Sequence, residues 1–268
     1  MVIICCLALE AVGSAQEPSD NDASLQIRAA MDAGVDALKN ARFEDAVVSL
    51  QEATRLDPGN AEAHLYLGTA YQYQFVPNLL TPDNMKMATS ALAELDVVLK
   101  IHPHDLTAMK QEAALYRYMQ RPDEALSMDR RIIAVDPGDA EAFCSIGLVD
   151  WTLAYKNAVD MLAEDGLLDD GMGNAKMAYG SCMKLRDQNA ALVTDGISNL
   201  TRAIELKPDY DDAMQYLQLM YRLHADLACG DAAARSRDLK IVDESIQKAM
   251  EIRKQAEAGK EAAKGKRQ

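Results

Sequence analysis

Carboxylates Glu164, Asp165, Asp169 and Asp170 stand among glycines in the run from Met161 to Gly173, an oxygen-rich stretch of the kind that can ligate calcium. A calcium loop needs acidic or amide side chains at alternate positions before its glycine and a Glu beyond it. That spacing is absent, so a solvated acidic loop is expected. Met161, Met172, Met177 and Met183 could offer soft thioether ligands, but methionine in a helical chain is expected to fill gaps in a core. Of the four histidines, His64, His102, His104 and His224, only His102 and His104 are close, flanking Pro103. They are two donors short of a closed zinc site. No nucleophile elbow, phosphate loop, dinucleotide fingerprint or HExxH occurs. No metal or cofactor is expected, and an enzyme reading finds no anchor.

Composition narrows the class. The chain has 268 residues, 49% hydrophobic and 26% charged, enough apolar material for a sizeable core. Aromatics are only 5% while Ala, Leu and Met abound, which favours helices over strands. The formal charge of -14 argues against a general nucleic-acid or anionic-membrane binder, since both need clustered Lys and Arg. Val2 to Leu9 is a short apolar run followed by Gly13-Ser14-Ala15 and polar residues, which resembles a secretory signal peptide cleaved near Ala15. It is far shorter than the roughly 20 residues that span a bilayer, and no later segment qualifies as a transmembrane helix. Residues 1–15 are thus read as signal, 16–24 as linker, and the protein as exported, periplasmic or extracellular. Cys5 and Cys6 would leave with the signal; Cys144, Cys182 and Cys229 remain, without CxxC spacing. One disulfide could form among them, its pairing open, and Cys144 in an apolar helical stretch is expected as a buried thiol.

Four amphipathic segments run into a proline: Ala53 to Pro58, Val98 to Pro103, Ile132 to Pro137 and Ala203 to Pro208. Proline cannot continue a helix, so each marks a helix end. The prolines are spaced by 45, 34 and 71 residues. A repeat of about 34 residues, interrupted by insertions, explains all three. Unit one carries Gly34, Ala37, Ala46, Leu50, Ala53 and Leu56 before its proline. Unit two has Leu67, Gly68 and Tyr71, then Ala91 and Leu95; unit three has Tyr116 and Ala125, with Ala113 at the small-residue step and Asp129 at an apolar one. Unit four has Phe143, Ile146 and Gly147, then Gly196, Leu200 and Ala203; unit five has Met214, Leu217 and Tyr221, then Val242, Ile246 and Ala249.

These residues resemble the tetratricopeptide repeat (TPR) family over residues 25–252. The resemblance implies an all-α fold: a right-handed solenoid of about five helix-turn-helix units, each burying its apolar face on its neighbours. The proline spacing places insertions inside units two and four, near 74–86 and 156–191, and the basic C-terminal tail at 253–268 is expected to continue the last helix and then fray. The Phe75-Val76-Pro77 insertion, the Val149-Asp150-Trp151 step and the Pro208 to Met214 step look like a group of exported bacterial TPR proteins with no assigned activity.

In this family the first helix of each unit lines a concave groove. Carried over, the groove residues are Arg28, Met31, Val35, Leu65, Tyr73, Lys110, Arg117, Tyr118, Leu148, Trp151, Leu219 and Arg222. Apolar and aromatic anchors bordered by Arg suit an extended peptide or a partner helix. Chaperone-binding relatives grip a C-terminal carboxylate at set groove steps. Met31, Val35, Tyr66, Thr107 and Gln111 stand there instead, which argues against that activity. The resulting expectation is a non-enzymatic scaffold that binds a protein or peptide with some basic surface, and no nucleic acid. The alternatives are a self-associating structural subunit of a cell-envelope or extracellular assembly, and an accessory domain for an enzyme.

Overall fold

The computed structural model describes residues 20–265, and the signal-peptide reading of 1–15 lies outside them. Ten helices among the described residues form five antiparallel pairs: α1 (Asp20–Lys39) with α2 (Phe43–Leu56), α3 (Ala61–Gln74) with α4 (Pro82–Ile101), α5 (Leu106–Tyr118) with α6 (Pro122–Val135), α7 (Ala140–Glu164) with α8 (Tyr179–Leu206), and α9 (Asp211–Asp226) with α10 (Ala232–Gly265). Each pair stacks on the next, and α1 touches α3, α3 touches α5, and α7 touches α9. One face is therefore built from the first helices of the units.

Local chemistry sets the boundaries. The second helix of units one to four ends two residues before its proline, at Leu56, Ile101, Val135 and Leu206. The residue between closes the helix with a backbone N–H bond to the carbonyl four back, as from Asp57 to Ala53 at 2.9 Å and from His102 to Val98 at 2.7 Å. Asn60, Asp105 and Asp139 then cap α3, α5 and α7, each side chain accepting from the N–H three residues on. Such caps satisfy donors that the first helical turn leaves unpaired.

Within a pair, small residues permit close approach. A Cβ on Gly147 would lie 2.3 Å from Leu200 Cγ, so α7 and α8 could not meet as they do with any larger residue there. Ala46, Leu50 and Leu67 bury together in the first units, Leu95, Met109 and Ile132 in the middle, and Leu185, Leu200 and Met220 in the last. The Asp129 that breaks the apolar pattern of unit three is buried as well. Its carboxylate accepts from Ser145 Oγ and lies 3.3 Å from Arg117 Nη1, and burial, opposed by these two partners, raises its pKa to about 6.

Two boundaries differ from the sequence expectation. Helix α1 begins at Asp20, inside the segment read as linker. The insertion of unit four is mostly helix: α7 runs on to Glu164 and α8 starts at Tyr179, leaving 165–178 as the connection. Apolar residues Ala154, Ala158, Met161, Leu185 and Val193 continue the buried seam through these extensions, and burial favours extending the helices over an open loop. At the other end α10 continues to Gly265, so the tail read from 253 prolongs the last helix over its described part. Residues 266–268 lie outside it.

Candidate functional site

The expected groove residues fall into three groups. Around units two and three, Tyr73 is 62% exposed and stacks on Phe43, ring centroids 4.9 Å apart. Tyr73, Tyr118, Gln72 and Gln111 line a notch of about 270 Å³, closed on one side by Phe75 and Pro77 of the first insertion. Gln111 Nε2 donates to Thr69 Oγ1 at 3.1 Å across the floor. Around units four and five, Trp151 stacks on Tyr155 at 5.2 Å and tilts against Tyr216 at 5.4 Å. With Leu219, Arg222 and the 165–178 connection it lines a second pocket of about 210 Å³. The structure thus brings Tyr73 to Tyr118, and Trp151 to Leu219 and Arg222.

The third group lines neither pocket. Arg117 points inward to Asp129 and Ser145. Lys110 Nζ lies 2.5 Å from Asp139 and 3.4 Å from Glu141, bridging α5 to the start of α7. Met31 and Leu65 are half-buried against the cores of their units. Val35 and Leu148 are half-buried, and Arg28 is exposed on α1.

Each insertion is organised by one buried asparagine that sequence reasoning did not single out. Asn84, in the first turn of α4, donates from Nδ2 to the carbonyls of Val76 at 2.8 Å and Leu79 at 2.6 Å, and accepts from Val76 N–H at 2.8 Å. Asn174 accepts from Asp170 N–H at 2.9 Å and donates to Asp169 Oδ1 at 3.0 Å and to Asp226 Oδ1, on α9, at 2.9 Å. Arg222 Nη1 reaches the Gly171 carbonyl at 3.2 Å, and a disulfide joins Cys182 to Cys229 beside them. Cys144 is a buried free thiol, its pKa raised by burial. Asp165 is engaged within the fold. Its carboxylate accepts from Ala178 N–H at 2.9 Å and Ser181 Oγ at 2.8 Å, capping α8. Among the described residues no group of three or more His, Cys, Asp or Glu side chains is arranged to hold a metal.

Asp226 is 7% exposed, and its pKa is pushed up to about 7, first by burial and then by Asp169 and Asp170, against the lowering effect of Asn174 and Arg235. Glu112 and Asp150 are likewise raised to about 7 by burial, with Asp96 and Asp195 respectively adding repulsion. One oxygen of each is buried without a hydrogen-bond partner. Both belong to the packing between helices rather than to either pocket.

Paired helices stacked in series, with first helices lining one face and aromatic side chains left open on it, define an α-solenoid with a groove. Residues 40–74, which hold α2 and α3, match the family model described as TPR repeat. Most of the chain shares its fold with solved structures. A MamA crystal structure aligns with a TM-score of 0.58 at 16% identity, covering 86% of this chain and 93% of that one. MamA from Desulfovibrio magneticus RS-1 aligns at 0.56 and 19% identity, covering 86% and 96%. YrrB, described as a TPR protein with an unusual peptide-binding site, aligns at 0.53 and 15% identity, covering 88% and 90%. No curated protein matches the sequence.

Proposed function

We propose that the chain is a non-enzymatic scaffold that holds an extended peptide or a partner helix in its concave groove. The observation that carries this is the notch at Tyr73 and Tyr118. Two aromatic rings lie open on the first-helix face, where an isolated fold would gain by covering them. YrrB, of the same fold, has a peptide-binding site by its description, which supports the reading. Crosslinking in native cells followed by mass spectrometry should place crosslinks of one partner on α3 and α5. Replacing Tyr73 and Tyr118 together with Asp should remove them; a partner retained by the double variant would put binding outside the groove.

A second reading, self-association, is favoured by the apolar cavity of about 460 Å³ that Ile204 of α8, Met214 and Leu217 of α9 and Ile252 of α10 line where units four and five meet. Light scattering that finds only monomer over a concentration range would dismiss it. We also propose export. The apolar run at 2–9 supports it, as does the pairing of Cys182 with Cys229, because disulfides persist in oxidising compartments. Protein from the native cell should then begin near Gln16, and an intact Met1 would refute it.

A further inference from the structure

The second pocket has a chemical character the first lacks. Its walls are the rings of Trp151 and Tyr155 and the apolar Leu219 and Leu223. Two carboxylates, Asp169 from the connection and Asp226 from α9, also reach it. At about 210 Å³ it is smaller than the roughly 300 Å³ at which sites for small molecules begin, a size suited to one side chain. Stacked aromatic faces attract a cation through their quadrupole, and a carboxylate at the same site adds charge-assisted hydrogen bonds. The one positive group in the wall, Arg222, donates to the Gly171 carbonyl and so holds the connection in place. The chain's formal charge of -14 adds a long-range pull on basic partners.

We propose that this pocket receives the cationic side chain, lysine or arginine, of the segment that lies in the concave groove. The assignment rests on the groove reading and adds a required residue type to the partner. Its position at the end of the first-helix face opposite the Tyr73 notch makes it a second anchor, one electrostatic and one aromatic.

Trp151 is the sole tryptophan of the chain, so its fluorescence reports on this pocket alone. The full chain is titrated with Nα-acetyl-lysine amide and Nα-acetyl-arginine amide, and in parallel with the norleucine and glutamate counterparts. A saturable change is expected with the two cations and none with the others. Asp169→Asn, exposed and able to keep its hydrogen bonds through the amide oxygen, should weaken the cation response by about tenfold. Asp226→Asn removes a carboxyl that is only about half ionised near pH 7 and should weaken the response by a smaller factor, with circular dichroism confirming its fold. A response shared by norleucine, a response to glutamate, or silence from Trp151 overturns the proposal. The groove reading is judged separately, by selecting a displayed random-peptide library on the wild type, Tyr118→Asp and Asp169→Asn. Peptides lost on Tyr118→Asp but without a fixed basic position, and bound equally by Asp169→Asn, leave the groove standing and defeat the pocket. A library that yields no peptide at all defeats the groove reading itself.

Discussion

The two insertions solve the same problem, a chain leaving one helix and entering the next with extra residues between, in different ways. The first, 75–81, is local. Asn84 holds it by bonds that span five and eight residues, and Val76, Leu79 and Leu80 remain exposed. The second, 165–178, is tied to the following unit. Asn174 reaches Asp226 across 52 residues, Arg222 reaches back to Gly171, and the Cys182–Cys229 bridge spans 47. A local clamp shapes a loop but adds little to the fold, since few distant residues depend on it. The long-range bonds couple unit four to unit five, and the disulfide among them also restricts the unfolded chain. The lesson is that insertion length matters less than where its polar groups find partners.

This difference can be broken from either side. The largest effect is expected from Cys182→Ser with Cys229→Ser: a loss of about 3–4 kcal/mol on the chain-entropy account of a crosslink of this span. Thermal unfolding would measure it, and amide hydrogen exchange should rise at 165–178 and the α9 end while 75–81 stays unchanged. Equal loosening of both insertions would erase the distinction. Next in size, Asn174→Ala should cost about 1–3 kcal/mol, because it leaves the buried Asp226 carboxyl without its partner. Smaller still, Asn84→Ala should cost about 1 kcal/mol and raise exchange only over 75–81, whose freed backbone groups can turn to water.

The fourth test uses pH. Asp226 titrates near 7 in the fold and near its ordinary value when unfolded, so the unfolded chain gives up its proton first as pH rises. Its contribution is fully present below about pH 4 and is lost as pH climbs through about 7. Glu112 and Asp150 act in the same direction. The melting temperature should therefore fall between mildly acid and mildly alkaline buffer, and Asp226→Asn should flatten part of that fall with little change at the acid end. A melting temperature that rises over this window would contradict the assigned burial of these groups.

Much of the fold was legible because its cues are local. Pro58, Pro103, Pro137 and Pro208 each stand two residues past a helix end, and a missing N–H acts wherever it occurs. Gly34, Gly147 and Gly196 sit against Leu50, Leu200 and Met220, as small residues at fixed steps suggested. The groove was legible in part. Tyr73, Tyr118, Trp151, Leu219 and Arg222 line pockets, whereas Lys110 and Arg117 spend their charge on Asp139 and Asp129. Asp129 had been visible as a break in the apolar pattern, and a buried acid calls for a nearby base; that signal could have reassigned Arg117. Asn84 and Asn174 read as ordinary loop residues because their partners are backbone groups and a carboxylate whose proximity no spacing reveals.

Sequence alone therefore determined the helix pairs, their order and the face that the first helices share, since propensity, proline and periodicity act over a few residues. Only the tertiary structure decided which cysteines pair, and that 156–191 is chiefly helix. It alone brought Asp169 and Asp226 beside Trp151. Those outcomes depend on groups far apart in the chain meeting where burial makes each contact strong, and the acidic run 161–173 that began as a rejected metal loop is instead one wall of a pocket.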